Sequence, residues 1–148
     1  MKTLKESIEI NVPPEIIWDW LLHFAENYCE WHPSHIKSYW EKGEPNKVGS
    51  ILYSEESIKG ELLKMKSRLI ELSPKKLLRF KTVGSLKLIL IRGTFEIETS
   101  KNGSIFIATL DFRMGKLLSK IAKKTVCNII QHMIEEGQNL KMILEKLT

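Results

Sequence analysis

From Lys116 to Leu147 apolar residues recur at helical spacing for about 30 residues, interrupted only by Gly137. Projected at about 100° per residue, Leu118, Ala122, Thr125, Val126, Ile129, Met133, Leu140, Ile143, Leu144 and Leu147 share one side. Lys120, Lys123, Lys124, Gln131, Glu135, Gln138, Lys141, Glu145 and Lys146 take the other. A terminal helix with one long apolar stripe needs a partner surface of equal length, and most of what precedes it reads as strand. An antiparallel meander cannot cover its own apolar face, so the sheet is expected to curl around this helix. A gap left between the two would become a ligand cavity. Gly137 costs roughly 1 kcal/mol against Ala in a helix, and is expected to let a neighbour approach closely.

The strands follow from period-two alternation. Residues 5 to 12 (KESIEINV) set Ile8, Ile10 and Val12 against polar neighbours. Pro13-Pro14-Glu15 ends that strand and opens a helix over Ile16 to Ala25. Tyr28 to Trp40 fits no regular period and reads as a short second helix plus a loop, closing at Gly43-Glu44-Pro45-Asn46. Gly49 to Glu56 and Gly60 to Leu72 form an expected hairpin about Ser57 to Lys59, with Leu63, Met65 and Leu69 inward and Lys64, Lys66 and Arg68 outward. After a turn at Ser73-Pro74-Lys75, strands are expected over Lys76 to Val83, Leu86 to Ile91, Gly93 to Thr99 and, past the Asn102-Gly103 turn signal, Ser104 to Phe112, with Gly115 ending the sheet. No internal repeat or low-complexity segment is present.

Glu136 is misplaced: it falls near the middle of the apolar face, with His132 one turn before it on the same side. An ionised carboxylate without a partner there costs several kcal/mol, or its pKa shifts until it is neutral. A salt bridge to a basic residue such as Arg113 is one remedy; a metal ion with further ligands is the more economical one. Trp31-His32-Pro33-Ser34-His35 offers two imidazoles at H-x2-H spacing, too tight for a zincin-type helix and interrupted by proline. Glu55 and Glu56 adjoin on a strand end, so only one faces the cavity, and alternation points Glu61 inward on the next strand. Histidines with carboxylates are the donor set that suits zinc in a site with an open position. His23 has no partner at useful spacing. Tyr28, Tyr39 and Tyr53 are candidate hydrogen-bond donors to a phenolic ligand.

Composition narrows the classes. At 148 residues, 43% hydrophobic and 28% charged, the chain has the size and balance of one globular domain. Its net charge of +5 is spread among interleaved glutamates, the pattern of a solvated surface rather than a nucleic-acid footprint. No apolar run reaches the roughly 18 residues of a membrane span, and Met1 to Glu9 does not have the pattern of a signal peptide, so a cytoplasmic location is expected. Cys29 and Cys127 are too few for a disulfide framework and are expected to stay reduced. No Gly-rich phosphate loop, nucleophile elbow or cysteine-based redox motif is present, which sets aside nucleotide-dependent and serine-hydrolase classes.

The order of elements, with IEINVPPEIIWDWL at the start and RGTFEIETSKNGSIFIATLDF before the last helix, resembles the START-like helix-grip (SRPBCC) superfamily of polyketide cyclases, lipid-transfer domains and pollen allergens. The resemblance implies a single α+β domain over residues 1–148: a curved antiparallel sheet of about six or seven strands around a long C-terminal helix, with two short helices after the first strand. WHPSHIKSYW, EESIKG and HMIEEGQNLK are more narrowly similar to the metal-binding segments of the zinc-dependent diacetylphloroglucinol and phloretin hydrolases. That narrower resemblance covers the helix-grip domain of those enzymes and not their additional N-terminal region. That likeness implies zinc held by His132 and Glu136, by His32 or His35 and by Glu56. It also implies hydrolysis of the bond between an acyl group and an aromatic ring, with Glu136 or Glu56 shuttling protons. The other reading is a non-catalytic carrier or sensor of a hydrophobic small molecule or lipid.

Overall fold

The computed structural model describes residues 1–113 and 123–147. Strand β1 (Lys2–Ile10) leads to helices α1 (Pro14–Leu22) and α2 (Phe24–Trp31), followed by β2 (His35–Lys42), β3 (Ile51–Ile58), β4 (Glu61–Ser73), β5 (Leu77–Val83), β6 (Leu90–Ser100), β7 (Gly103–Phe112) and helix α3 (Lys123–Lys146). The strands form one antiparallel sheet in the order β1-β7-β6-β5-β4-β3-β2. Consecutive strands are therefore neighbours except at one place: α1 and α2 carry the chain from one edge of the sheet to the other. This is the expected α+β helix-grip architecture. The expected start of the last helix at Lys116, the end of the sheet at Gly115, and the positions of Leu118, Lys120 and Ala122 lie outside the described residues.

Alternation decides which residues enter the core. Ile10, Ile17, Leu21, Trp31, Leu69, Leu78, Leu140 and Leu144 are almost wholly buried, and an aromatic group of Trp20, Phe24, Trp31 and Phe95 fills the space beneath α1 and α2. Pro14 opens α1 at a position where its missing N–H costs nothing. At the β6–β7 turn a Cβ on Gly103 would lie 2.4 Å from the Ile10 carbonyl oxygen, so only glycine lets the end of β1 close over this turn. Gly137 presses on Ile8 of β1, but a Cβ there would stand 3.4 Å from the Ile8 side chain, an ordinary contact. On the apolar stripe Met133, Leu140 and Leu144 are buried, whereas Leu147, past the helix end, is exposed.

Two strands differ from expectation. His35–Lys42 is a strand, not a loop; a bulge between His35 and Lys37 breaks its alternation, which hides it from a period-two reading. The expected separate strands Leu86 to Ile91 and Gly93 to Thr99 are one strand, β6, preceded by a 3-10 turn at Ser85–Leu88. Gly93 sits inside β6 against Leu110 instead of interrupting it.

Candidate functional site

Register and helix placement converge on four side chains. His35 opens β2 directly across from Glu56 of β3. Helix α3 passes over this point and brings His132 and Glu136, one turn apart, down onto the pair. Trp31 sets the height of α3: its indole N–H donates to the Glu136 carbonyl at 2.9 Å, while the Asn139 amide donates back to the Trp31 carbonyl at 3.0 Å.

His35 Nε2 lies 2.9 Å from Glu136 Oε2 and 3.3 Å from Glu56 Oε2. His132 Nε2 lies 3.0 Å from Glu56 Oε2 and 3.4 Å from Glu136 Oε2, and the two imidazole Nε2 atoms are 3.3 Å apart. One donor atom from each of the four falls within 4.8 Å of every other. Zinc bonds of about 2.0 to 2.1 Å in a tetrahedron place neighbouring ligand atoms about 3.3 to 3.4 Å apart, which the five separations approach. The His35 Nδ1–H donates to the Tyr28 carbonyl at 2.8 Å, turning Nε2 toward the group, as in outer-shell support of a metal-bound imidazole. Burial, chemistry and spacing of the donors thus fit a zinc ion.

The electrostatics without an ion are tense. Burial disfavours charge on His35, but its hydrogen bonds with Glu136 and Glu56 outweigh this and lift it to about 9. His132 is raised in the same way to about 10. Burial pushes Glu56 up, yet the bonds to His132 and His35 hold it at about 2. Two imidazolium nitrogens then face one another between two carboxylates. Burial, and next the charges of Glu56 and Glu136, drive the Tyr28 phenol far above its usual range; its hydroxyl donates to Glu56 at 3.5 Å, and its ring stacks on His35.

The remaining candidates separate. Tyr39 and Tyr53 pair on the opposite face of the sheet from the cavity, so the expectation that they contact a ligand there is corrected: strand alternation turns them outward, and Tyr53 donates to Glu55. That bond holds the Tyr53 phenol at about 12. Glu55 faces outward with them and meets Lys37. Glu61 points inward at the cavity mouth but stands outside the four. His32 also stands outside: its Nδ1 accepts from the Ser34 backbone N–H, so Nε2 carries the proton and donates to Glu135 at 2.9 Å. Arg113 is not the partner of Glu136, whose ion-pair partners among the described residues are His35 and His132.

Glu56, His132 and Glu136 form part of the wall of a cavity of about 380 Å³ between sheet and α3, lined otherwise mainly by apolar residues including Phe24, Leu52, Met65, Phe80 and Ile129. A curved sheet gripping a terminal helix around such a cavity defines a START-like helix-grip protein with a pocket for a hydrophobic small molecule. Residues 1–143 match the family of polyketide cyclase/dehydrase and lipid transport proteins, and the chain belongs to that family. Among solved structures it is similar to a protein from Thermus thermophilus (12% identity, TM-score 0.79, 99% of each chain covered). It is also similar to the Zhui aromatase/cyclase from Streptomyces sp. R1128 (11%, 0.76, 98% of this chain and 94% of that one). A third likeness is to ginseng major latex-like protein 151 from Panax ginseng (16%, 0.71, 95% of each). These likenesses carry the fold. No curated protein sequence matches the chain. No helix among the described residues is long and apolar enough to cross a membrane.

Proposed function

We propose that the protein binds a small hydrophobic, oxygen-bearing molecule in the helix-grip cavity, beside a divalent cation, zinc by its donor set, held by His35, Glu56, His132 and Glu136. The observation that carries the metal is the convergence of two imidazoles and two carboxylates, with near-tetrahedral spacing, at the cavity wall. Family membership and the likenesses above support ligand binding and stand nearer to a carrier than to a zinc hydrolase; the metal rests on geometry alone.

The reaction such a site would suit is hydrolysis of an acyl–ring carbon–carbon bond in a polyphenolic or polyketide-like ketone. Water's hydroxyl would end on the acyl carbon as a carboxylic acid and its hydrogen on the ring carbon. Zinc would supply Lewis acidity toward a carbonyl and a water acidified to near neutrality. The apolar wall excludes bulk water and orients the ring, and the Tyr28 hydroxyl, already directed at Glu56, is placed to donate to a ligand oxygen. Glu136, with a side chain 17% exposed, has the solvent contact that proton exchange needs.

Metal analysis of protein purified without chelator tests the reading: about one zinc per chain is expected, and His132→Ala should lose it while keeping the fold. A protein that neither carries nor takes up zinc reduces the function to the carrier alone. Incubating zinc-loaded protein with an acylated phloroglucinol separates the remaining alternatives. Release of the free ring supports the hydrolase, whereas binding without turnover, or a lipid identified by mass spectrometry of the purified protein, supports the carrier or sensor.

A further inference from the structure

The part of the cavity wall remote from the four ligands carries polar groups that nothing above uses. Ser67 of β4 and Thr82 of β5 are direct cross-strand partners, and both face inward, Ser67 in step with Met65 and Leu69, Thr82 with Leu78 and Phe80. Thr82 is only 3% exposed and Ser67 half-buried, and among the described residues no side chain or backbone group bonds either hydroxyl, so both are open to the cavity. Ser54, another hydroxyl of the cavity wall, lies 3.0 Å from Ser38 Oγ and is already engaged. A hydroxyl that opens onto a cavity without a protein partner is free to bond a ligand there, and a ligand that displaces water without bonding it loses that bond.

The spacing says what that could be. Glu56 is paired with Leu63, and Ser67 follows four residues along β4, about 13 Å at about 3.3 Å per residue. Allowing about 2 Å for a metal–oxygen bond and about 3 Å for a hydrogen bond leaves roughly 8 Å between the terminal oxygens of a bridging molecule. Among the described residues no Lys or Arg lines the cavity, so nothing there compensates an anionic ligand. Phe24, Phe80 and Phe95 flank the space between the two poles with aromatic surface.

We propose that Ser67 and Thr82 form a second polar anchor that selects an uncharged, elongated two-ring phenol or polyketide carrying a hydrogen-bonding oxygen at the end remote from the metal. The assignment rests on the metal-and-ligand reading above and adds to it the far end of the ligand.

The test uses two probes differing by one hydroxyl, 2′-hydroxychalcone and 2′,4-dihydroxychalcone, whose shared hydroxy-ketone can meet the metal. Binding to the zinc-loaded full chain is followed by calorimetry, with zinc content measured in parallel. Wild-type protein should favour the dihydroxy compound about fivefold to tenfold, the size of one buried hydrogen bond. Thr82→Val should abolish that preference without changing zinc content or affinity for 2′-hydroxychalcone, and Thr82→Ser should restore it. Equal binding of both probes by the wild type, or an unchanged preference in Thr82→Val, overturns the anchor, as it would if water alone met these hydroxyls. Zinc uptake with no binding of either chalcone also counts against the anchor while the metal site stands. Hydroxyl preference in a protein that takes no zinc keeps the anchor and removes the metal.

Discussion

Glu136 and Glu56 owe their burial to two imidazoles, and those imidazoles owe their raised pKa values to the carboxylates, so charge and stability are linked at single residues. In metal-free protein His35 and His132 rise from 6.5 to about 9 and about 10. Their stabilisation is complete below about 6.5 and is lost as pH climbs through those higher values. Glu56, lowered from 4.5 to about 2, contributes fully above about 4.5 and loses its contribution as pH falls toward 2. Chelator-treated protein should therefore lose denaturant midpoint as pH goes from 6.5 to 10, and loading with zinc should flatten or reverse that slope, because the metal competes with the same protons. A metal-free midpoint that rises over this range would contradict the linkage. The two histidines of H-x2-H part at this scale too: His35→Ala should abolish stoichiometric zinc, while His32→Ala, which removes the bonds to Ser34 and Glu135 but none to the four, should retain it in metal analysis. The Glu136 anomaly was legible from helical spacing alone. The choice of His35 over His32 was not, because it depends on which imidazole a strand pairing directs inward.

At the scale of elements, the site is a junction of the α2–β2 turn, the β3 strand end and α3, and its precision depends on how α3 docks. The bond from the Trp31 indole to the Glu136 carbonyl ties the turn of α3 that carries His132 and Glu136 to α2. Trp31→Phe keeps an aromatic ring but removes this donor; it should weaken zinc binding about tenfold and lower stability by about 1 to 3 kcal/mol, read by competitive metal titration and chemical denaturation. Zinc affinity unchanged in that variant would show that α3 is positioned by packing alone. Gly137 behaves differently from a tight-packing glycine. Its added Cβ would meet Ile8 at van der Waals distance, so Gly137→Ala should raise stability by about 0.5 to 1 kcal/mol through helix propensity. Helices α1 and α3 and the β3–β4 hairpin announced themselves through strong periodicity. Strand β2 did not, since a bulge shifts its register and its outer face carries Lys37, Tyr39 and Glu41.

For the whole molecule, the cavity and the four residues proposed to hold zinc share the interface between sheet and helix, so occupancy of either should be felt as global stability. Zinc at 100 times its dissociation constant stabilises a native state by about 2.7 kcal/mol, so a concentration-dependent rise in Tm is expected on adding zinc to chelator-treated protein, absent in His132→Ala. The local pattern of apolar and polar residues determined the strands, the terminal helix, the enclosing sheet and the presence of an acid where an apolar side chain belonged, because periodicity is set by backbone geometry that each segment carries with it. Only the tertiary structure decided that Glu56 rather than Glu55 or Glu61 joins His132, that Tyr28 alone of the three tyrosines reaches the cavity, and that Ser67 and Thr82 face it. Those outcomes depend on register, bulges and the height of a helix over a sheet, which arise from contacts between segments far apart in the chain and leave no local trace in any one of them.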